Sequence, residues 1–97
     1  MKIRLTARAR RDLVDIADYT VRHWGIRQRN LYLQQLEKRL QWLAEHPGLG
    51  VARDDIKEGY FCYPQGEHLI FFLRTDSSID IIGIPHQEMD VMHYFDE

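Results

Sequence analysis

The chain has one cysteine, Cys62, so no intrachain disulfide and no cysteine-based zinc site can be built, and a reducing cytoplasm is the expected compartment. Long apolar runs are absent. The longest, Leu69 to Leu73, is about a quarter of the length a membrane span requires. The basic start, MKIRLTARARRDL, lacks the apolar stretch of a signal peptide, and Asp12 and Asp15 argue against a transit peptide. Nucleophile and cofactor motifs are equally scarce. There is no G-x-S-x-G elbow and no H-E-x-x-H pair, and Gly48 and Gly50 lack the Lys-Ser/Thr that follows a phosphate-binding loop. Cys62, between Phe61 and Tyr63, reads as a small sheet or core residue. Cofactors are not expected.

With 97 residues, 44% hydrophobic and 29% charged, the chain suits one globular domain spanning residues 1–97, with room for a single core. The net charge of −2 conceals a strong asymmetry. Residues 1–53 carry 11 basic and 5 acidic side chains, a balance of +6, whereas residues 54–97 carry 2 basic and 10 acidic, a balance of −8. Such a field orients charged partners although the whole is nearly neutral.

The periodicities predict an α+β fold. Lys2 to Leu5 alternates like a short strand, and Thr6 is placed to cap a first helix over about residues 8–23. Leu13, Ile16, Ala17, Thr20 and Trp24 share one face of that helix and are expected in the core. Arg8 with Asp12, Arg11 with Asp15 and Asp18 with Arg22 are spaced for ion pairs on a solvated face. Gly25 ends the helix, with Ile26 placed for the hydrophobic contact of a Schellman motif. A second helix, about residues 27–45, presents Leu33, Leu36, Leu40 and Leu43 at 3-4-3 spacing and stops before Pro47. The short connection makes an αα-hairpin. Strands then follow over Tyr60–Tyr63, His68–Arg74 and Ile79–Ile84, joined by turns at Pro64-Gln65-Gly66 and Asp76-Ser77-Ser78, as a three-stranded antiparallel meander. Its middle strand is apolar on both faces, so it belongs at the centre with its second face covered. Met89, Met92 and Phe95 then fall at the spacing of a short C-terminal helix over about residues 87–95.

His86, Glu88, Asp90 and His93 form the densest cluster of possible metal ligands, but no zinc spacing is matched and Asp90 reads better as a cap after Pro85. Ten arginines, eight of them before residue 40, invite a nucleic-acid reading. Only Lys57 and Arg74 lie in the strand-forming half, which leaves few cations to stabilise a cleaved phosphodiester.

Across nearly its whole length the chain resembles the ParE family of type II toxin–antitoxin toxins. The residues concerned are Ala9-Arg10-Arg11-Asp12-Leu13, Ile16, Tyr19, Trp24-Gly25, Gln28, Tyr32, Leu36, Leu43-Ala44-Glu45-His46-Pro47, Gly50, Gly59-Tyr60, Gly66, His68, Ile70-Phe71 and His86-Gln87-x-Met89-Asp90. The resemblance implies the RelE/ParE fold, a strand, a helical hairpin and an antiparallel sheet. It also implies a non-enzymatic bacterial toxin that inhibits DNA gyrase and is neutralised by a ParD-like antitoxin. The chain has Gly83 and Pro85 where members carry Arg and Leu, Phe72-Leu73 where Tyr-Arg is common, and an acidic Glu88.

Two other readings stay open beside the gyrase inhibitor. One is a RelE-type, ribosome-dependent mRNA endonuclease using His86 or His93 as acid or base and Arg74 as phosphate clamp; the other is a toxin fold of reduced toxicity retained as an antitoxin partner. The segment expected to touch the target or to switch toxicity is His86, Met89, Asp90, Met92, Tyr94 and Phe95, since methionines and aromatics suit adaptable interfaces; for Met89, Met92, Tyr94 and Phe95, covering the open face of the sheet is an equal alternative. An acidic antitoxin segment is expected against Arg8, Arg11, Arg22, Arg27 and Arg29. Neither a membrane nor direct sequence-specific nucleic-acid binding is expected.

Overall fold

The computed structural model describes residues Met1–Asp96. Strand β1 (Lys2–Leu5) leads into helix α1 (Ala7–Trp24), and α2 (Ile26–Glu45) returns antiparallel beside it. Thr6 caps α1 as expected, its side chain accepting the Ala9 N–H at 3.2 Å. After a 3-10 turn at Pro47–Leu49 come β2 (Val51–Ala52), β3 (Phe61–Gln65), β4 (His68–Arg74), β5 (Ser78–Gly83) and a five-residue helix, α3 (Val91–Phe95). The strands form one sheet in the order β1-β5-β4-β3-β2. The expected meander β3-β4-β5 is there, with β4 at the centre, and β1 closes one edge parallel to β5. No helix is long and apolar enough to cross a membrane, among the described residues.

One face of β4 meets the hairpin. Ile70 and Phe72 join Ile79, Ile81 and Ile84 from the β5 side, and Ile16, Leu36, Leu40 and Leu43 from the helices. Phe71 points the other way and is equally buried. Its cover is Phe95 of α3, whose ring lies edge-on at 5.0 Å, so the second face of the central strand is closed by the C-terminal segment. Cys62 is buried in β3, and burial raises its thiol pKa.

Several local expectations are corrected. Trp24 is 71% exposed: it is the last residue of α1, where the hairpin tip has already left the sheet, so helical phase no longer brings it to the core. Gly25 adopts φ 89 and ψ 172, open to glycine but outside the left-handed helical region, and Ile26 starts α2 and is exposed instead of completing a Schellman contact. The turn between β3 and β4 is Gly66-Glu67, because Pro64 and Gln65 pair with Leu69 and His68 and extend the strand. Pro64 is tolerated there because β2 reaches only Phe61 and Cys62, leaving that edge open. The ion pairs Arg11–Asp15 and Asp18–Arg22 do not close. Finally, α3 begins at Val91 instead of about residue 87, since Asp90 caps it by accepting the N–H groups of Met92 and His93.

Leu36 has no exposed surface at the junction of both helices and the sheet. Leu36→Ala is expected to cost about 2–5 kcal/mol, read as a lowered urea midpoint at unchanged slope.

Candidate functional site

A groove of about 770 Å³ runs between the helical hairpin and the C-terminal segment. Its α1 wall is Asp12, Asp15, Ile16, Tyr19, Thr20 and Trp24, which recur at helical spacing and lie beside the face that packs on the sheet. Gln28 and Tyr32 of α2 form the second wall. The end of the sheet supplies Glu67, His68, Ile84, Pro85 and His86, with Met89 at the rim.

Tyr32 organises the floor. Its hydroxyl accepts the Glu67 N–H at 3.2 Å and lies 3.1 Å from the Gln65 carbonyl and 2.5 Å from His68 Nδ1. Gly66 makes this approach possible: its φ is 58, and a Cβ there would run into the Tyr32 ring. Burial raises the Tyr32 pKa. Burial, with nearby His86 adding to it, lowers that of His68 and holds the imidazole neutral. The His68 and His86 rings meet edge-on at 5.3 Å, and the chain around them forms an antiparallel bridge. Leu69 N–H donates to Pro85 O at 2.9 Å, and Gln87 N–H to Glu67 O at 2.8 Å. His86 Nε2 sits 3.6 Å from a Glu67 oxygen. These contacts pin the segment after β5 across the start of β4.

A second anchor fixes the far end of that segment. The Asp12 carboxylate accepts the Ile84 N–H at 2.8 Å and the Tyr94 hydroxyl. The Tyr94 ring lies against Gly83, where a Cβ would collide with it. A register slip between Phe71 and Phe72 sets Gly83 opposite Phe71, on the face that α3 covers. The Arg8 guanidinium stacks over Tyr94 at 5.1 Å and over Phe95 at 5.4 Å. Burial, with the bond to Asp12, pushes the Tyr94 hydroxyl pKa up.

The residues expected to form one target-binding segment therefore separate. His86 and Met89 line the groove, Asp90 caps α3, Tyr94 and Phe95 fasten α3 to Asp12 and Phe71, and Met92 is exposed. Of the arginines, Arg8 is held over two rings, Arg29 bonds to Asn30 through Nε and a terminal nitrogen, and Arg11, Arg22 and Arg27 are exposed. None lines the groove. The sequence reading missed Asp12, Asp15, Tyr19, Tyr32, Glu67 and His68 as one site. The i, i+3, i+7 spacing of Asp12, Asp15 and Tyr19 was a usable signal, concealed by arginines placed to pair with the acids.

Two imidazoles and two phenols in a groove could exchange protons, but the remaining ionisable side chains lining it are three carboxylates, with no Lys or Arg among the described residues. A phosphodiester would meet negative charge and no cation. The pairing of His86 with Arg74 as a nuclease site also fails on distance. His86 bridges to the first residue of β4 whereas Arg74 is the last, about 20 Å away along a seven-residue strand. Arg74 is itself stacked on Phe61 at 3.6 Å. Among the described residues no three His, Cys, Asp or Glu side chains converge as metal ligands.

A helical hairpin laid on a five-stranded sheet, with a groove between the hairpin and the C-terminal segment, defines a small α+β protein. The sequence model described as "ParE toxin of type II toxin-antitoxin system, parDE" matches residues 3–91. Toxin ParE1 of Caulobacter vibrioides is 36% identical over 87 residues, covering 90% of each chain. Toxin ParE1 of Mycobacterium tuberculosis is 35% identical over 88 residues, again covering 90% of each. A solved structure titled "Chromosomal ParDE TA system from P. aeruginosa" superposes with a TM-score of 0.76 at 20% identity, over 89% of this chain and 95% of that one, and it shares the fold. The chain belongs to the ParE toxin family of type II toxin–antitoxin systems.

Two expectations test the site. Because His68 has a lowered pKa in the fold, the unfolded chain binds the extra proton first. Stability should be full above the unfolded value near 6.5 and fall as pH drops from there toward the lowered folded value. Thermal midpoints between neutral and mildly acidic pH should decline less steeply for His68→Gln. Gly83→Ala should displace Tyr94 and cost about 1–3 kcal/mol, read by chemical denaturation.

Proposed function

We propose that this toxin arrests bacterial growth by binding and inhibiting DNA gyrase in the cytoplasm, without catalysis of its own, and is neutralised by a ParD-like antitoxin. The observation carrying this reading, beyond family membership, is the carboxylate-lined groove, which suits protein recognition and opposes phosphodiester chemistry. Met89 and Met92, exposed on either side of the Asp90 cap, are the contacts offered to the target. His86 positions that segment through the bridge to His68, while Tyr94 and Phe95 hold it to the fold. The antitoxin's acidic residues meet Arg11, Arg22, Arg27 and Arg29, with Arg8 contributing at the α1 start.

Purified protein at micromolar concentration should suppress gyrase supercoiling or accumulate cleaved DNA, and its expression should arrest growth with DNA-damage signalling. Unchanged supercoiling, or translation arrest with message cleavage, overturns the proposal. Deletion after Asp90 would remove the Phe95 cover and disturb the fold. The informative variant is therefore Met89→Ala with Met92→Ala, which should weaken gyrase inhibition about tenfold at unchanged thermal midpoint.

A further inference from the structure

A second, smaller cleft of about 460 Å³ lies between α2 and the last residue of β3. Gln35, Lys38, Arg39 and Trp42 line it at i, i+3, i+4, i+7 spacing and so share one face of α2, while Gln65 closes it from the strand. No carboxylate lines it. Three contacts fix the Arg39 guanidinium there. It lies over the Trp42 ring at 4.6 Å and the Tyr63 ring at 5.1 Å, and its Nε donates to the Gln65 side-chain oxygen at 2.9 Å. Trp42 and Tyr63 in turn pack on each other at 5.1 Å. Holding α2 on the sheet edge uses the face of the guanidinium and its Nε; the two terminal nitrogens meet no acceptor among the described residues. Lys38 beside it is exposed and makes no ion pair among them. An oriented guanidinium fork with open donors, next to a second cation and with no acid in the cleft, matches a single oxyanion such as a carboxylate. The aromatic contacts order this long side chain before a partner arrives, so less entropy is lost on binding.

We infer that this cleft is a second contact with the toxin's target protein, in which Arg39 and Lys38 clasp one Asp or Glu carboxylate of that partner. The inference rests on the gyrase reading above and adds specificity-determining residues to it. A nucleic-acid backbone is a poorer occupant. Duplex DNA presents one charge per ~1.7 Å of its axis, whereas these two adjacent cations serve a single anion. Along the same face Leu31 and Gln35 are neutral, and Glu67 stands two residues past Gln65. Leu31 is 47% exposed, an apolar flank of the kind that surrounds an arginine hot spot in a protein interface. Position selects the target over the antitoxin. Gln65 pairs with His68, and His68 bridges to His86, so the cleft opens at the same end of the sheet as the Met89 segment, two strand spacings or about 10 Å from His86. The arginines assigned to the antitoxin lie elsewhere. Arg29, the nearest of them along α2, is about 15 Å back along the axis and turned roughly 80° around it.

Titration of the full chain into a gyrase supercoiling assay tests this. Lys38→Glu reverses an exposed charge without touching the ring stack, and should raise the concentration for half-inhibition about tenfold or more. Arg39→Lys keeps the charge but loses the planar fork, and should raise it about tenfold. Thermal midpoints show whether Arg39→Lys has loosened α2, and Lys38→Glu carries the test if it has. A photoreactive benzophenone side chain installed at position 35 identifies the occupant: illumination of toxin, gyrase and plasmid together should join the toxin to a gyrase polypeptide. Crosslinks to DNA alone, or half-inhibition by Lys38→Glu at the parent's concentration, overturn the inference and leave the gyrase reading in place. A parent chain that does not inhibit supercoiling overturns the gyrase reading and this assignment with it.

Discussion

A central strand that is apolar on both faces must be covered twice, and the arrangement of the whole chain follows from this. Strand β4 buries Ile70 and Phe72 against the helical hairpin and Phe71 against the opposite side. Each large side chain is worth about 1.5–3 kcal/mol when withdrawn from water, so neither face can stay open in a domain of ordinary marginal stability. The hairpin is long enough to close the first face. The second is left to five residues of α3, too short to hold a helix in water without support.

That support comes from polar and aromatic contacts made far away in sequence. Asp12 receives both the Ile84 N–H at the end of β5 and the Tyr94 hydroxyl, Arg8 lies over the Tyr94 and Phe95 rings, and Gly83 leaves room for Tyr94. One carboxylate thus ties the first helix, the last strand and the terminal helix together. A half-buried carboxylate whose lone pairs are met by a backbone N–H and a hydroxyl is an inexpensive polar element in a small fold. The groove is the gap left on the hairpin side of these anchors. Its walls are held by the same contacts, with Tyr32, His68 and His86 closing the floor, so the surface offered to a partner is set in place before binding.

The charge distribution acquires a spatial meaning in this frame. Exposed arginines gather at the hairpin tip and along the outer side of α1, whereas the groove beside them is lined by acids. A partner crossing from one to the other meets both signs within a short distance, and this favours register and specificity more than raw affinity.

By itself the sequence determined the elements and their class: helix lengths from leucine spacing, the Thr6 cap, the breaks at Gly25 and Pro47, the central place of His68–Arg74, and the ParE family. These are local or pattern-wide signals, legible because apolar periodicity and backbone chemistry act over a few residues. The groove was not legible. Asp12 and Asp15 looked like members of solvated ion pairs, Trp24 looked like a core residue, and Tyr94 and Phe95 suited contact with a partner and cover for the sheet equally well. Only the tertiary structure decided among these, because the partners of these side chains, Ile84, Phe71, Gly83 and the hairpin tip, are set by chain crossings of up to 82 residues. Spacing within one helix cannot encode such crossings.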